Sequence, residues 1–518
     1  MKNQQSASGD AFVTALTGEP SNLIPFLASD SASAEVSSLI FNGLLKYDAQ
    51  LKLIGDLAER FEVLENGLKI VFHLRRDVFW QDGERFTAKD VEFTFKKLTD
   101  PSVPTPYGSS FEKVKSLNKV DDFTIMVNYF EPFSPGLASW TMGIVPEHLL
   151  ANENLISTKF ARKPVGTGPY KFNEWVTGQW IKLSANENYF DTRPNIDRVV
   201  YRIIPDEATI FLELQTENLD TASLTSLQYD RQIQTPFFKK NYTPYQWMGQ
   251  QYAYLGYNLK HPFFSDKRVR KAIGLAIDKQ EIIDATLLGH GKICNGPFLA
   301  EGWAFNSKLP QKTFDSELAK KILQEAGWED RDRDGFIDKN GEKFSFTVLT
   351  NQGNGERKMT CEIIQKRLHA IGIEMKIQLV EWSVFLKEFI HPRRFEAVLL
   401  AWNLGVDPDV YSIFHSSRTA PGQFNFVSYQ NEEVDALLEE GRKVFDQDNR
   451  ALVYHRVHEI ILEEEPYTFL HTPQTLSALH NRFQGVTVTP LGIGYDFIRW
   501  YVPLSKQKYN SSPEFSNV

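Results

Sequence analysis

The chain has 518 residues, a formal net charge of −9, 42% hydrophobic and 24% charged residues. That length exceeds what one hydrophobic core organises, so two or three domains are expected. The acidic balance, with no basic block, argues against nucleic acid as a partner, and no apolar run approaches the roughly 18 residues of a membrane-spanning helix. The start, Met1 to Gly9, is polar and has no apolar signal core, which suits either a cytosolic protein or a mature secreted one whose signal has been removed. Cys294 and Cys361, the two cysteines, exclude a disulfide framework and a cysteine metal cluster and leave one bridge or two buried thiols.

In chain order, the first half reads as strand hairpins punctuated by short helices. Phe61–Leu64 and Leu68–Leu74 flank Glu65-Asn66-Gly67, where Asn-Gly favours the positive φ of a tight turn. Thr87 and Asp90 have the spacing of a capping box, and Val91, Phe95 and Leu98 follow at helical intervals. A second hairpin turns at Asp121-Asp122, with Phe123, Ile125, Val127 and Tyr129 alternating to one side. A third turns near Thr177-Gly178. After about residue 262 helices and strands alternate, the pattern of an α/β layer with a mostly parallel sheet. Helices are expected after Asp266, over Ser316–Ala326, Met359–Ala370, Glu432–Val444 and Arg450–Glu464. Strands are expected at Phe344–Leu349, Met375–Val380 and Ala397–Trp402.

Five segments in register carry a resemblance. They are Glu19–Phe26 (EPSNLIPF), Leu74–Val91 (LRRDVFWQDGERFTAKDV), Gly166–Tyr170 (GTGPY), Asp266–Ile273 (DKRVRKAI), and Trp402 followed by Asp407-Pro408-Asp409. Together they resemble family 5 of the extracellular solute-binding proteins of ABC importers, the oligopeptide, dipeptide and nickel-binding class, over nearly the whole chain. The resemblance implies an α/β, two-lobed fold of the periplasmic-binding-protein type (type II, large three-domain class), with mixed sheets in each lobe and a two-segment hinge. Lobe I would comprise residues 1–49, 166–259 and 478–518, with an inserted subdomain at 50–165, and lobe II residues 260–477. The hinge would lie near Tyr257-Asn258 and Thr475–Leu479. The implied function is capture of an oligopeptide by hinge closure and its delivery to permease subunits, by a monomer that is periplasmic or extracellular and membrane-tethered. An oligosaccharide or a metal chelate is the alternative ligand, and a secreted hydrolase the remote alternative.

In peptide-binding members an extended ligand adds as a strand between two segments, so main-chain bonds supply affinity without fixing the ligand's sequence. Carried over residue by residue, the segments are Ala28, Ser29, Asp30, Ser31, Ala32 and Ser33 in lobe I and Ala401, Trp402, Asn403, Leu404 and Gly405 in lobe II, joined by Tyr107 and Trp247. Trp402 would wall a side-chain pocket; otherwise it is a core tryptophan ending a strand. The family places an Asp, partner to the peptide's ammonium group, where this chain has Gly405. Either Asp407 or Asp409 then reaches in, or the ligand lacks a free amine there; Asp407 otherwise reads as a helix N-cap ahead of Pro408.

Two further patterns come from the residues themselves. Asp330, Asp332 and Asp334, followed by Gly335, match the first half of a calcium loop, with the Phe336 carbonyl and Asp338 as further ligands. The twelfth position is Gly341, not an acid, so a structural calcium bracing a loop is the expectation and a solvated acidic turn the alternative. No cofactor is required. His455 and His458 share a helical face but lack a third metal ligand, and no nucleophile, zinc or phosphate-loop motif is present, so no enzyme is expected.

Overall fold

The computed structural model describes residues 8–509, and most of the polar amino-terminal start lies outside them. The chain divides into two units. One is built from the chain up to Leu224, Gln228–Trp247 and the chain from Leu476 onward, the other from Thr225–Leu227 and Met248–Thr475.

In the first unit, strands Ala11–Leu16, Arg198–Ile203, Trp180–Ala185 and Tyr170–Val176 form a sheet in that order, with a parallel first pair and antiparallel others. A second, antiparallel sheet runs Ala58–Leu64, Lys69–Leu74, Thr124–Tyr129 and Val114–Asp121. Its first hairpin turns where expected, with positive φ at Glu65, Asn66 and Gly67. Ile70, Phe72, Ile125 and Val127 alternate into the core, against which helix Ala88–Thr99 lays Val91 and Leu98. The capping box is formed: the Asp90 carboxylate accepts from the Thr87 N–H at 2.9 Å, and the Thr87 hydroxyl caps the helix in return. The two ends of the chain meet at Arg482, whose buried guanidinium lies between the buried carboxylates of Asp10 and Asp220.

In the second unit the sheet order is Tyr467–His480, Gln251–Tyr257, Ala397–Asn403, Ser345–Asn351 and Glu374–Val380. The last three strands are parallel, but the first two pairings are antiparallel. The sheet is therefore mixed and not mostly parallel. The helix–strand alternation after residue 262 is blind to Gln251–Tyr257 ahead of it and Tyr467–His480 at its end, and these two insert antiparallel beside the parallel set. Helices Lys267–Ala276, Ser316–Glu325 and Gly355–His369 cover one face, and Glu432–Gly441 and Gln447–Glu464 the other, giving two cores. Both cysteines are buried free thiols, and burial pushes Cys294 up to about 11 and Cys361 up to about 12.

Candidate functional site

Strand Ala397–Asn403 pairs with Gln251–Tyr257 along its full length, from Ala397 opposite Tyr257 to Asn403 opposite Gln251. On its other side it pairs with Ser345–Asn351 only at Ala397 and Val398. The two strands then part: the Thr350 hydroxyl still donates to the Leu399 carbonyl at 2.9 Å, while Gln352 N–H bonds to Val380 O. Main-chain groups alternate sides along a strand. Leu404 N–H donates to Gln250 O at 2.8 Å, on the paired side, so the N–H and C=O groups of Ala401 and Asn403 point to the other. Among the described residues no strand pairs with them there. Unpaired ladder groups of this kind are a template for one more strand.

Trp402 points to one face of this sheet and is half-buried. It stacks on Tyr254 (6.3 Å between ring centres) and Phe426 (5.7 Å), meets Phe424 edge-on (5.3 Å), and donates its indole N–H to the Tyr467 hydroxyl at 3.4 Å. It thus ends a strand and forms part of an aromatic wall while keeping some solvent exposure. Asn403 and Gly405 are exposed, and Leu404 and Asp407 are half-buried.

Asp407 and Asp409 are each already paired with an arginine. Arg450 clamps Asp407 with two bonds of 2.7 and 2.8 Å, and Arg442 clamps Asp409 with bonds of 2.9 and 2.8 Å. Both guanidiniums are buried. Burial disfavours the charge on Arg450, but the Asp407 carboxylate more than restores it and holds the group above the ordinary arginine range. No helix begins at Pro408. Asp407 instead accepts from the Asp409 N–H at 3.0 Å, and the next helix is the short Tyr411–Phe414, so the expected N-cap role gives way to a turn and an ion pair. Sequence reading missed Arg442 and Arg450, because nothing local links Asp407 to an arginine 43 residues on.

In the first unit, the expected ligand segment is extended only as far as Asp30. The Asp30 carboxylate accepts from Ser33 N–H (2.8 Å), Ser33 Oγ (2.7 Å) and Ser21 Oγ (2.5 Å) and caps helix Ser31–Ile40, so Ser31, Ala32 and Ser33 are its first turn. Ala28 spends its N–H on Ile24 O and its carbonyl on the Tyr107 hydroxyl at 2.9 Å. Strand addition along all of Ala28–Ser33 is therefore corrected: a capping aspartate commits the residues after it to helix, and the Asp30 carbonyl itself accepts from Ala34 N–H at 3.1 Å. Tyr107 is fastened to this segment, and burial pushes its phenol up. Trp247, half-buried at the end of strand Tyr242–Met248, covers Gly492, where φ is +92° and an added Cβ would meet the indole at 3.2 Å.

Asp330, Asp332 and Asp334 do converge: one carboxylate oxygen from each lies within 4.8 Å of the others, all on exposed residues. Asp338 does not join them; it starts a two-residue strand and accepts from Arg331 N–H at 3.3 Å. Lys343 lies beside them, its ammonium 3.7 Å from the Asp334 carboxylate and 3.4 Å from the centre of the Phe336 ring. Calcium takes six to eight oxygens, so these residues fit half a shell. The two histidines serve packing. His458 is buried, its Nδ1 accepting from Asn306 N–H and its Nε2 facing Asn295 O, while His455 Nε2 meets Trp303 O at 3.3 Å.

Mixed sheets in each of two units, with their connectivity, match solved structures along the whole chain. The oligopeptide-binding protein AppA of Bacillus subtilis, solved with a nonapeptide, aligns at a TM-score of 0.91 and 32% identity, covering 96% of this chain and all of that one. NikZ of Campylobacter jejuni, solved with Ni(L-His), aligns at 0.88 and 26%, covering 95% and 99%. The fold is thus the type II periplasmic-binding-protein fold. The family model for bacterial extracellular solute-binding proteins, family 5 (Middle), matches residues 52–424. In sequence the Bacillus protein is 33% identical over 503 residues, 95% of this chain and 92% of its own length. The chain belongs to family 5 of the bacterial extracellular solute-binding proteins.

Proposed function

We propose that this protein binds oligopeptides outside the cytoplasm and passes them, unaltered, to the permease subunits of an ABC importer. The observation that carries the reading is the open edge at Ala401 and Asn403, where main-chain donors and acceptors await an extended chain. Main-chain pairing binds any sequence, and the Trp402 wall beside it offers apolar contact to alternate ligand side chains. Similarity to a protein solved with a nonapeptide supports the same ligand class. The protein acts as a monomer, in the periplasm or tethered to the outer face of a membrane, and carries out no chemistry on its ligand.

Native mass spectrometry of gently purified protein tests this: a ladder of co-purified peptide masses is expected, and a single glycan or chelate mass would overturn it. A synthetic heptapeptide methylated on alternate backbone nitrogens should lose at least tenfold in affinity in the phase that blocks pairing and little in the other. Equal loss in both phases would refute the strand-addition mode.

For the loop at Asp330, Asp332 and Asp334 we propose a weakly held, largely hydrated calcium that braces the turn. Adding millimolar CaCl2 should raise the thermal midpoint of the wild type but not of Asp332→Asn, and no shift in the wild type removes the ion.

A further inference from the structure

An asparagine followed by glycine is prone to a reaction that needs only water. The glycine N–H loses its proton and its nitrogen attacks the asparagine Cγ; a new C–N bond closes a five-membered succinimide, the Cγ–NH2 bond breaks, and the amide leaves as ammonia, taking up a proton. Water then opens one of the two ring carbonyls, giving aspartate, or isoaspartate in which the main chain runs through the former side chain. Glycine favours the attack because no Cβ crowds its nitrogen. This chain has five such pairs, beginning at Asn42, Asn66, Asn295, Asn340 and Asn354, and the fold treats them differently.

Three are locked. Asn42 is buried, its amide donating to Asp56 (2.8 Å) and the Tyr189 hydroxyl (3.1 Å) and accepting from the Thr167 hydroxyl (3.1 Å). Asn295 is buried, and Gly296 lies so close beneath the His458 ring that an added Cβ would strike it. Asn354 caps helix Gly355–His369, its side-chain oxygen accepting from Arg357 N–H at 2.7 Å, so ring closure there would undo the cap. The other two, Asn66 and Asn340, are exposed and sit in left-handed turns, with φ of +52° and +56° followed by glycines at +89° and +79°. Ring closure requires such a turn to open locally, and here the two differ. Asn66 joins strands Ala58–Leu64 and Lys69–Leu74, and Gly67 is buried. Asn340 joins strands of two residues each, Asp338–Lys339 and Glu342–Lys343, and Gly341 is exposed with open space around the place of a Cβ. The shorter hairpin has fewer pairings to lose and opens more readily.

We propose that Asn340 is a site of spontaneous modification, converting to aspartate and isoaspartate ahead of the four other Asn-Gly pairs. Aspartate adopts the left-handed turn as asparagine does, so that product keeps the hairpin and adds one negative charge to it. Isoaspartate inserts an extra main-chain atom into a two-residue turn, and Lys339 can no longer face Glu342 in register. The proposal stands on the folded chain alone and is independent of the peptide reading.

The test incubates the full chain in warm, mildly alkaline buffer, with and without denaturing urea, and follows each of the five pairs by peptide mapping for a gain of one mass unit and for isoaspartate. In urea the five should convert at similar rates, because each has the same glycine neighbour. In buffer Asn340 should lead Asn66 by about tenfold or more, with Asn42, Asn295 and Asn354 further behind. Any other pair converting in buffer as fast as Asn340 would overturn the proposal. So would an Asn340 that stays intact in buffer over the time in which the unfolded chain has converted.

Discussion

Replacing Asp407 with Ala should destabilise the second unit sharply, and the magnitude follows from what Arg450 is left with. The Arg450 side chain is 7% exposed and is held by Asp407 through two bonds, by the Gly441 carbonyl at 2.8 Å and by the Tyr454 hydroxyl at 3.0 Å. Removing Asp407 deletes the counter-charge and leaves two neutral acceptors. Breaking a buried ion pair from one side costs about 3–5 kcal/mol. Because Asp407 is 21% exposed, water reaches the vacated side, and the lower end of that range applies. With an m-value of about 3 kcal/mol/M for a unit of this size, the urea midpoint of the second unit should fall by about 1 M, followed by tryptophan fluorescence. Asp407→Ala combined with Arg450→Met removes the stranded charge and should recover most of the loss. A midpoint within about 0.2 M of wild type for the single variant would refute the argument, and would release Asp407 as a candidate ligand group.

Two further outcomes are expected. His458 and His471 are buried, and burial pushes both imidazoles down to about 4 from the ordinary 6.5. Below about 6.5 the unfolded chain takes up protons that the native one refuses, so stability rises with pH between about 4 and 6.5 and is lost as the pH falls through that window, by about 2 kcal/mol per histidine at pH 5; His458→Gln should flatten the pH dependence of the thermal midpoint, and an unchanged slope counts against it. Thr87→Ala removes one half of the capping box at helix Ala88–Thr99 and should cost the first unit about 1 kcal/mol by urea unfolding, with peptide affinity unchanged.

The amino-acid sequence alone determined the local elements and the family. Turn chemistry at Glu65–Gly67, the capping pair Thr87 and Asp90, and apolar periodicity are short-range: the atoms that decide them lie within a few residues, so each is formed as read. Only the tertiary structure decided what the site can do. Whether Asp407 is a free carboxylate depends on an arginine from a distant helix, and whether Ala401 and Asn403 keep open main-chain groups depends on where strand Ser345–Asn351 turns away. That the Ala28 carbonyl is spent on the Tyr107 hydroxyl, 79 residues away, is likewise tertiary, whereas the helix from Ser31 follows from the local cap at Asp30. Pairing, parting and clamping are relations between segments far apart in the chain, and no pattern within one segment encodes them.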